Sequence, residues 1–375
     1  MLEKNLKRLV VAAVVGAAAF WGALNWMTSV SGQQAPPAQA PAAEETMEQK
    51  YKNIQALKGL PASQMRAMMN YISASTGMTC GECHVKTGDQ WAFEKDDNNH
   101  KVIARRMITM TMDINKASFN GRTQVTCYTC HQGHDHPSHV PPIAAPKAAE
   151  APAAAAAPKP DEVLAKYVQA IGGKEAVEKV KTRVLKGSSV AGNGQNFPLE
   201  INFAAPDKYT LSVTLPQGAS TQKLNGAGGW LKNAREDRAM DGVDVMRAKS
   251  LAWSLEVLQL KDPLPRLGFA GTEKVGSRET NVLQTRLADG RRVRFSFDKE
   301  SGLLLRRVVQ TVTPIGIDPE QTDYEDYRDV EGVKVAHTIR TTYLDQFYNS
   351  TRKFTEVKHN AKLDDALFAL PAAKQ

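Results

Sequence analysis

The sequence predicts a multidomain chain in which a small, mainly α-helical module is followed by an α+β domain built on one large curved antiparallel sheet. Three observations point there. The 375 residues exceed what one hydrophobic core usually holds. Two tracts of little but Ala, Pro and Gln, QQAPPAQAPAA at 33–43 and PPIAAPKAAEAPAAAAAPKP at 141–160, have almost nothing to bury and read as semi-extended spacers. Between them apolar residues recur at helical spacing, and beyond the second they alternate at strand spacing. The resulting division is 1–32, an export signal or anchor; 33–46, a linker; 47–140, the helical module; 141–160, a linker; and 161–375, the sheet domain.

At the amino terminus Lys4, Lys7 and Arg8 precede an uncharged apolar run from Leu9 to Leu24. That is the positive and hydrophobic pattern of an export signal, so the chain is expected to leave the cytoplasm. The run extends through Trp26 and Met27 to Val30, close to the roughly 20 residues that cross a bilayer. Cleavage and retention as an inner-membrane anchor therefore share one hydropathy signal. No cysteine follows the run, which excludes a lipid-modified end on this reading.

In the helical module Leu57, Leu60, Met65, Met68, Met69 and Ile72 keep a period near 3.6, as do Val102, Ile103, Met107, Met110 and Ile114. Past the second spacer, Asp161 to Ile171 forms a short amphipathic helix that Gly172-Gly173 stops. Strands are expected at Leu199–Phe203, Tyr209–Leu215, Asn281–Leu287, Arg291–Phe297, Leu303–Thr313, Val333–Tyr343 and Ser350–Val357. Asp289-Gly290, Ser301-Gly302 and Glu331-Gly332 supply hairpin turns, and a helix at Leu251–Leu260 lies against the sheet.

Composition narrows the function. With 42% hydrophobic and 23% charged residues and 19 prolines, the chain is an ordinary globular one with proline-rich interruptions, not a fibre or a polytopic membrane protein. Its 48 Lys+Arg against 40 Asp+Glu give +8, but the basic residues are scattered and never interleave with aromatics, so no nucleic-acid partner is expected.

The four cysteines carry the chemistry. Cys80-Gly81-Glu82-Cys83-His84 and Cys127-Tyr128-Thr129-Cys130-His131 are both C-x-x-C-H, the attachment sequence for c-type haem. Thiols three positions apart meet on one helical turn and can reach two vinyl groups on one porphyrin edge, and the next imidazole then lies under the iron. A four-thiolate zinc site would need its pairs separated by roughly 15 to 20 residues, whereas these are 43 apart, and it would leave both histidines idle. Disulfides or a dithiol redox site need no histidine after each pair. Cys80 and Cys127 lie only 47 positions apart, too few for two free-standing cytochrome domains, so two haems must share one small core. The porphyrins should then supply much of its buried apolar surface, and the protein without them should be largely unfolded.

His84 and His131 each give one iron ligand, and the opposite side of each iron decides between carrier and enzyme. Methionines crowd the helices before each motif: Met65, Met68 and Met69, then Met107, Met110 and Met112. Most of these must be core fillers. Rival ligands are His134, His136 and His139 in the polar segment after the second motif, with His100 expected at the surface. Lys101, Arg105 and Arg106 could meet haem propionates or an acidic partner, although a solvated helix face is the commoner arrangement.

The stretches LKGLPASQMRAMMNYISASTGMTCGECH, ARRMITMTMDIN and VTCYTCHQG resemble the multihaem cytochrome c subunit of photosynthetic reaction centres and its shorter dihaem relatives, over about Asn53 to Gly133. The resemblance implies a methionine ligand from the helix ahead of each motif: Met69 for the first haem and Met107 for the second, with Met68 and Met110 as alternatives. The photosynthetic subunit has four haems in two halves and only one half is present here, so a reaction-centre partner is not implied. Asp161 to Pro371, with stretches such as DYRDVEGVKVAHTIRTTYLD, more loosely resembles the half-barrels of outer-membrane lipoprotein-sorting proteins. Such a fold could offer a groove for an acyl chain or peptide, but a structural or docking role is favoured, since fold alone does not fix function. His337 and His359 are expected to be ordinary strand residues.

The reading is an exported dihaem c-type cytochrome, periplasmic or otherwise extracytoplasmic, relaying single electrons between redox proteins or a membrane electron-transfer complex, and an electron carrier more than an enzyme. The rivals are a haem enzyme of peroxidase or reductase type with one open iron, and a groove-containing binding protein with accessory haems.

Overall fold

The computed structural model describes residues 44–137 and 157–371, apart from 89, 227, 235, 241–243, 246–247, 249–266 and 288–289. The amino-terminal segment 1–32, most of both Ala/Pro tracts and the helix expected at Leu251–Leu260 lie outside the described residues. No described helix is long and apolar enough to cross a membrane.

Residues 44–137 carry four helices and one small hairpin: α1 (Met47–Lys50), α2 (Met65–Thr76), β1 (Val85–Thr87), β2 (Gln90–Ala92), α3 (Asn99–Phe119) and α4 (Cys127–His131). Their ends follow local chemistry. Gly77 stops α2 in the left-handed conformation at φ +72°, which glycine adopts without a Cβ penalty. Asn98 opens α3 by accepting the His100 N–H, and Asn120 closes it in the same left-handed region.

Residues 157–371 begin with α5 (Pro160–Ala170) and α6 (Lys174–Glu178). Gly172 and Gly173, both with positive φ, end the first of these where the sequence places the stop. Thirteen strands follow: β3 (Thr182–Ala191), β4 (Asn196–Ala204), β5 (Lys208–Leu215), β6 (Gly218–Asn225), β7 (Gly228–Lys232), β8 (Asp237–Ala239), β9 (Gly268–Val275), β10 (Arg278–Arg286), β11 (Arg292–Asp298), β12 (Leu304–Thr313), β13 (Gly316–Val330), β14 (Val333–Thr342) and β15 (Ser350–His359). They form one antiparallel sheet in the order β8-β7-β6-β5-β4-β3-β15-β14-β13-β12-β11-β10-β9. Neighbours are consecutive in sequence except at the middle, where the last strand returns beside β3. This is the α+β sheet domain the sequence anticipated.

The period of two decides its faces. Along β4, Leu199, Ile201 and Phe203 enter the core while Glu200 and Asn202 turn to the other side. The apolar face is covered by Val163, Tyr167, Ile171 and Val177 from α5, α6 and the turn between them. The cavity left there, bounded by Tyr167, Ile171, Arg183 and Tyr324, measures about 30 Å³, room for little more than a water. A larger cavity, about 730 Å³, lies on the polar face against Lys186, Glu200, Asn202, Thr210, Thr221 and Lys223. Among the described residues α5 and α6 pack on the apolar face, and this cavity is lined mainly by charges, hydroxyls and amides.

The described residues form one compact unit. A second, smaller hydrophobic cluster joins the helices to the sheet: Met47, Leu57, Met68 and Ile108 close around Ile315 from the two-residue turn between β12 and β13. Above it, the Arg66 guanidinium of α2 lies 4.0 Å over the Tyr348 ring, a cation–π contact.

His337 and His359 are ordinary strand residues, both buried. The Nδ1 of His337 hydrogen-bonds with the Val335 carbonyl at 2.9 Å, and the Nε2 of His359 accepts from the Arg183 Nε at 3.1 Å. That acceptor role requires a neutral ring, and burial, helped by the Arg183 charge, brings the His359 pKa from 6.5 down to about 4. The unfolded chain binds its proton near 6.5 and the folded chain only near 4, so stability falls on acidification through that window, by at most about 1.4 kcal/mol per pH unit. H359Q keeps an acceptor without a titratable ring. Urea unfolding between pH 6.5 and 4 should show a shallower loss for H359Q than for the wild type, and equal slopes would mean the ring is already charged in the fold.

Candidate haem attachment site

Each cysteine pair opens a single helical turn preceded by a threonine. The first, Cys80–Glu82, is a 3-10 turn, and the His84 N–H closes an α-type bond to the Cys80 carbonyl at 2.8 Å. Glu82 accepts both the Thr79 N–H at 2.6 Å and the Thr79 hydroxyl at 2.9 Å. In the second, α4, the Thr126 hydroxyl accepts the Thr129 N–H at 3.2 Å. Thr79 and Thr126 thus each take part in a local cap at the start of the turn that carries a thiol pair. All four cysteines are free. Cys80 and Cys130 are exposed, while Cys83 and Cys127 are half-buried.

The two histidines are held differently. His131 Nδ1 hydrogen-bonds with the His134 carbonyl at 2.9 Å, which leaves Nε2 available to a ligand, the arrangement metal-bound imidazoles commonly use. His84 Nδ1 is buried without a partner. Its ring meets Phe93 edge-on at 5.0 Å, and Phe93 stacks on Trp91 at 5.7 Å. Burial, then the charges of Lys101 and Arg105, lower the His84 pKa and keep the ring neutral, the form that binds a metal.

Longer-range ties set the motifs against the helices. The Glu82 carbonyl accepts from Asn98 Nδ2 at 2.9 Å and lies 2.9 Å from His100 Nδ1, so the start of α3 is fastened to the first motif. Asn115, buried near the carboxy-terminal end of α3, accepts the Gln124 and Val125 N–H groups at 3.0 and 2.9 Å and donates to the Val125 carbonyl at 2.7 Å. It thereby delivers the segment that enters the second motif. The end of α2 meets the end of α4: the Gly133 N–H donates to the Ser75 carbonyl at 2.8 Å, and a Cβ on Gly77 would come within 2.5 Å of the Gly133 oxygen. Gly77 lies three residues before Cys80, so this approach brings the two motifs together.

The residues around the motifs suit a porphyrin. Ile103, Met107 and Met110 form an exposed apolar row along α3, and Trp91, Phe93 and Tyr128 stand exposed beside the cysteines. Large apolar side chains exposed in this way offer a surface that a planar apolar group could cover. The candidate methionines divide by position: Met68 is fully buried in the cluster around Ile315, Met69 is half-buried, and Met107 and Met110 are about 40% exposed. His134 contributes its carbonyl rather than its ring, His136 is exposed beside Asp135, and His139 lies outside the described residues. Lys101 and Arg105 are engaged by Asp96 at 3.0 and 2.8 Å. Asp96 is consequently held well below the usual carboxylate range, chiefly by Arg105, so these cations serve the loop before α3.

Burial raises the Cys83 thiol pKa and takes that of Cys127 to about 11. A dithiol redox centre depends on a thiolate stabilised near neutral pH, and these thiols have the opposite bias. Among the described residues no three Cys, His, Asp or Glu side chains gather as a metal-ligating group, so the pairs do not share one knuckle. Asn115, Gly77 and Ile315 are the site residues that sequence reasoning missed. The polar Asn115 inside an apolar helical period was the available signal for one of them.

Residues 22–169 match the family model of the photosynthetic reaction centre cytochrome c subunit. The subunit from Roseobacter denitrificans is 37% identical over 106 residues, 26% of this chain and 28% of that protein. The one from Thermochromatium tepidum is 34% identical over 113 residues, 28% of this chain and 26% of that protein. The chain thus spans under a third of the length of these curated relatives, and the region it shares with them resembles a c-type cytochrome of electron transfer. Among solved structures, a LolA superfamily protein from Nitrosomonas europaea aligns with 57% of this chain and 99% of its own at TM-score 0.40 and 11% identity. A DUF1329 family protein from Desulfovibrio piger aligns with 56% of this chain and 96% of its own at TM-score 0.37 and 13% identity.

Gly77 and Gly59 have nearly the same positive φ, but only Gly77 has a neighbour where a Cβ would go. Alanine at either position costs about 1–2 kcal/mol for the left-handed backbone, and G77A should cost more because the Gly133 carbonyl must also move. Chemical unfolding of the two variants checks this, and equal losses would show that the α2–α4 approach is not tight.

Proposed function

We propose that the chain is an exported dihaem c-type cytochrome that passes single electrons between redox partners outside the cytoplasm. The observation that carries the reading is the pair of C-x-x-C-H turns, which together use every cysteine, keep all four thiols free and stand beside exposed apolar side chains. Residues 47–140 are, on this reading, a mainly α-helical dihaem module, and 161–375 a half-barrel-like domain with a structural or docking role.

Bound haem supplies a one-electron iron couple. The chain's residues supply everything else. Cys80 with Cys83, and Cys127 with Cys130, would hold the two haems, and His84 and His131 would offer their imidazoles to the irons, the second oriented through the His134 carbonyl. Met69 and Met107 would supply the thioether ligands. Met68 is wholly engaged in holding α2 to the hairpin turn, which leaves its half-buried neighbour as the freer thioether. Met110 is the alternative on α3, one turn from Met107. A thioether opposite histidine favours the reduced iron relative to a second imidazole and closes the iron to small oxidants, which suits a carrier. The partners would be redox proteins or a membrane electron-transfer complex, with the amino-terminal segment either cleaved or retained as an inner-membrane anchor.

The full chain, matured in a host that attaches haem, should carry two haems by intact mass and pyridine haemochrome. M69A and M107A should each lower one midpoint potential and leave the other in place, whereas M68A should lower thermal stability first. A mature chain with no added tetrapyrrole would end the proposal, and rapid carbon monoxide binding at one reduced iron would replace the carrier by a haem enzyme.

A further inference from the structure

We propose that the tip of the β12–β13 hairpin, Thr313 to Gly316, belongs to the second haem site, with Ile315 as a positioning residue for Cys127. The inference rests on the dihaem reading above and adds to it a contribution from the carboxy-terminal sheet.

Ile315 is fully buried, yet its neighbours are not those of the sheet: it packs with Met47, Leu57, Met68 and Ile108, and Cys127 lies against the same cluster. The polar atoms of the tip point the same way. The Ile315 carbonyl accepts the Cys127 N–H at 3.4 Å. That donor is at the first position of α4, where a helix has no internal partner for it. The Thr313 carbonyl accepts the Thr123 hydroxyl at 3.1 Å, four residues before the motif. The Thr313 hydroxyl in turn donates to the Gly316 carbonyl at 2.8 Å and fixes the shape of the turn. Gly316 faces the Tyr71 ring of α2 so closely that a Cβ there has no room.

A hydrophobic plug alone would need only the Ile315 side chain. Here two carbonyls of the tip also take up the backbone N–H of Cys127 and the hydroxyl of Thr123, and so fix where the segment into the motif runs and which way the Cys127 thiol is directed. Among the described residues no hydrogen bond joins the first motif to the sheet, and that motif relies on Asn98, His100 and Phe93. The sheet should therefore govern one haem and not the other.

The test uses the full chain matured with haem, comparing wild type, I315A, I315V, G316A and L283A. Leu283 is fully buried in the main sheet cluster and controls for loss of stability alone. Peptide mapping should find haem on the Cys127–Cys130 peptide reduced in I315A and G316A with the Cys80–Cys83 peptide still loaded, and redox titration should find one midpoint shifted. I315V should restore most of both, and L283A should lower the melting temperature without changing either. Full second-site occupancy with unchanged potentials in I315A and G316A would overturn the inference, as would equal loss at both peptides. A wild-type chain lacking haem at either peptide would instead overturn the dihaem reading itself.

Discussion

The constraint from which the rest follows is that two attachment motifs must be ordered by a segment too small to build a core around them. Among the described residues, 44–137 contribute four buried side chains, Met47, Leu57, Met68 and Ile108, to the cluster beneath the motifs, with half-buried neighbours such as Leu60, Met69 and Ile72 against them, and the fifth buried member, Ile315, arrives from the sheet. The apolar side chains that would ordinarily complete such a core face outward, as the Ile103, Met107 and Met110 row on α3 does. The segment is thus incomplete on two sides. One is closed by a hairpin turn, and under the proposed function the other is closed by porphyrin. This explains why a small helical segment and a large sheet fold as one unit even though an Ala/Pro tract connects them in sequence. The wedge of Ile315 is what sets the helices against the sheet.

The same constraint makes the two sites unequal. The first is organised by its own neighbours, with the Glu82 carbonyl tied to Asn98 and His84 set against Phe93. The second is organised from a distance, by Asn115 upstream, the end of α2 beside it and the hairpin turn beneath it. Under the proposed function, chemically identical motifs in unlike surroundings would give the two irons unlike potentials, because ligand orientation and burial are what tune a haem. Such a difference would make the step between them directional, which is what a relay needs.

What could be read in the sequence is what depends on local chemistry. The motifs name their chemistry by spacing, and the strands at Leu199–Phe203, Arg291–Phe297 and Ser350–Val357 announce themselves by alternation or β-branching. Each is present with ends displaced by a few residues. The longest strand, β13, went unread, because PEQTDYEDYRD carries too much charge to look like a strand. Its alternation survives only in Thr322 and Tyr324, which are buried, while Arg328 and Asp326 pair with one another outside. β3 and β6 were missed for the related reason that their centres, KGSSV and ASTQK, are small and polar on a sheet whose second face is open. Long-range closure was not legible at all. Nothing in TPIG at 313–316 distinguishes a turn in solvent from one that fits under a helix more than 180 residues away in the chain.

The glycines at the meeting of α2 and α4 complete the argument. Gly77 must take a left-handed backbone to stop α2 before Thr79 and Cys80, and it must also lack a side chain to admit the Gly133 carbonyl that follows His131. One residue therefore fixes both where the first motif begins and how near the second can come. Had the helix ended in Asn, which also tolerates this backbone, the carbonyl would have been pushed away and the motifs with it. The approach of the two motifs is thus limited here by backbone against backbone and not by side chains that could yield. Under the proposed function, a relay whose rate depends on distance would gain from such a contact between its centres.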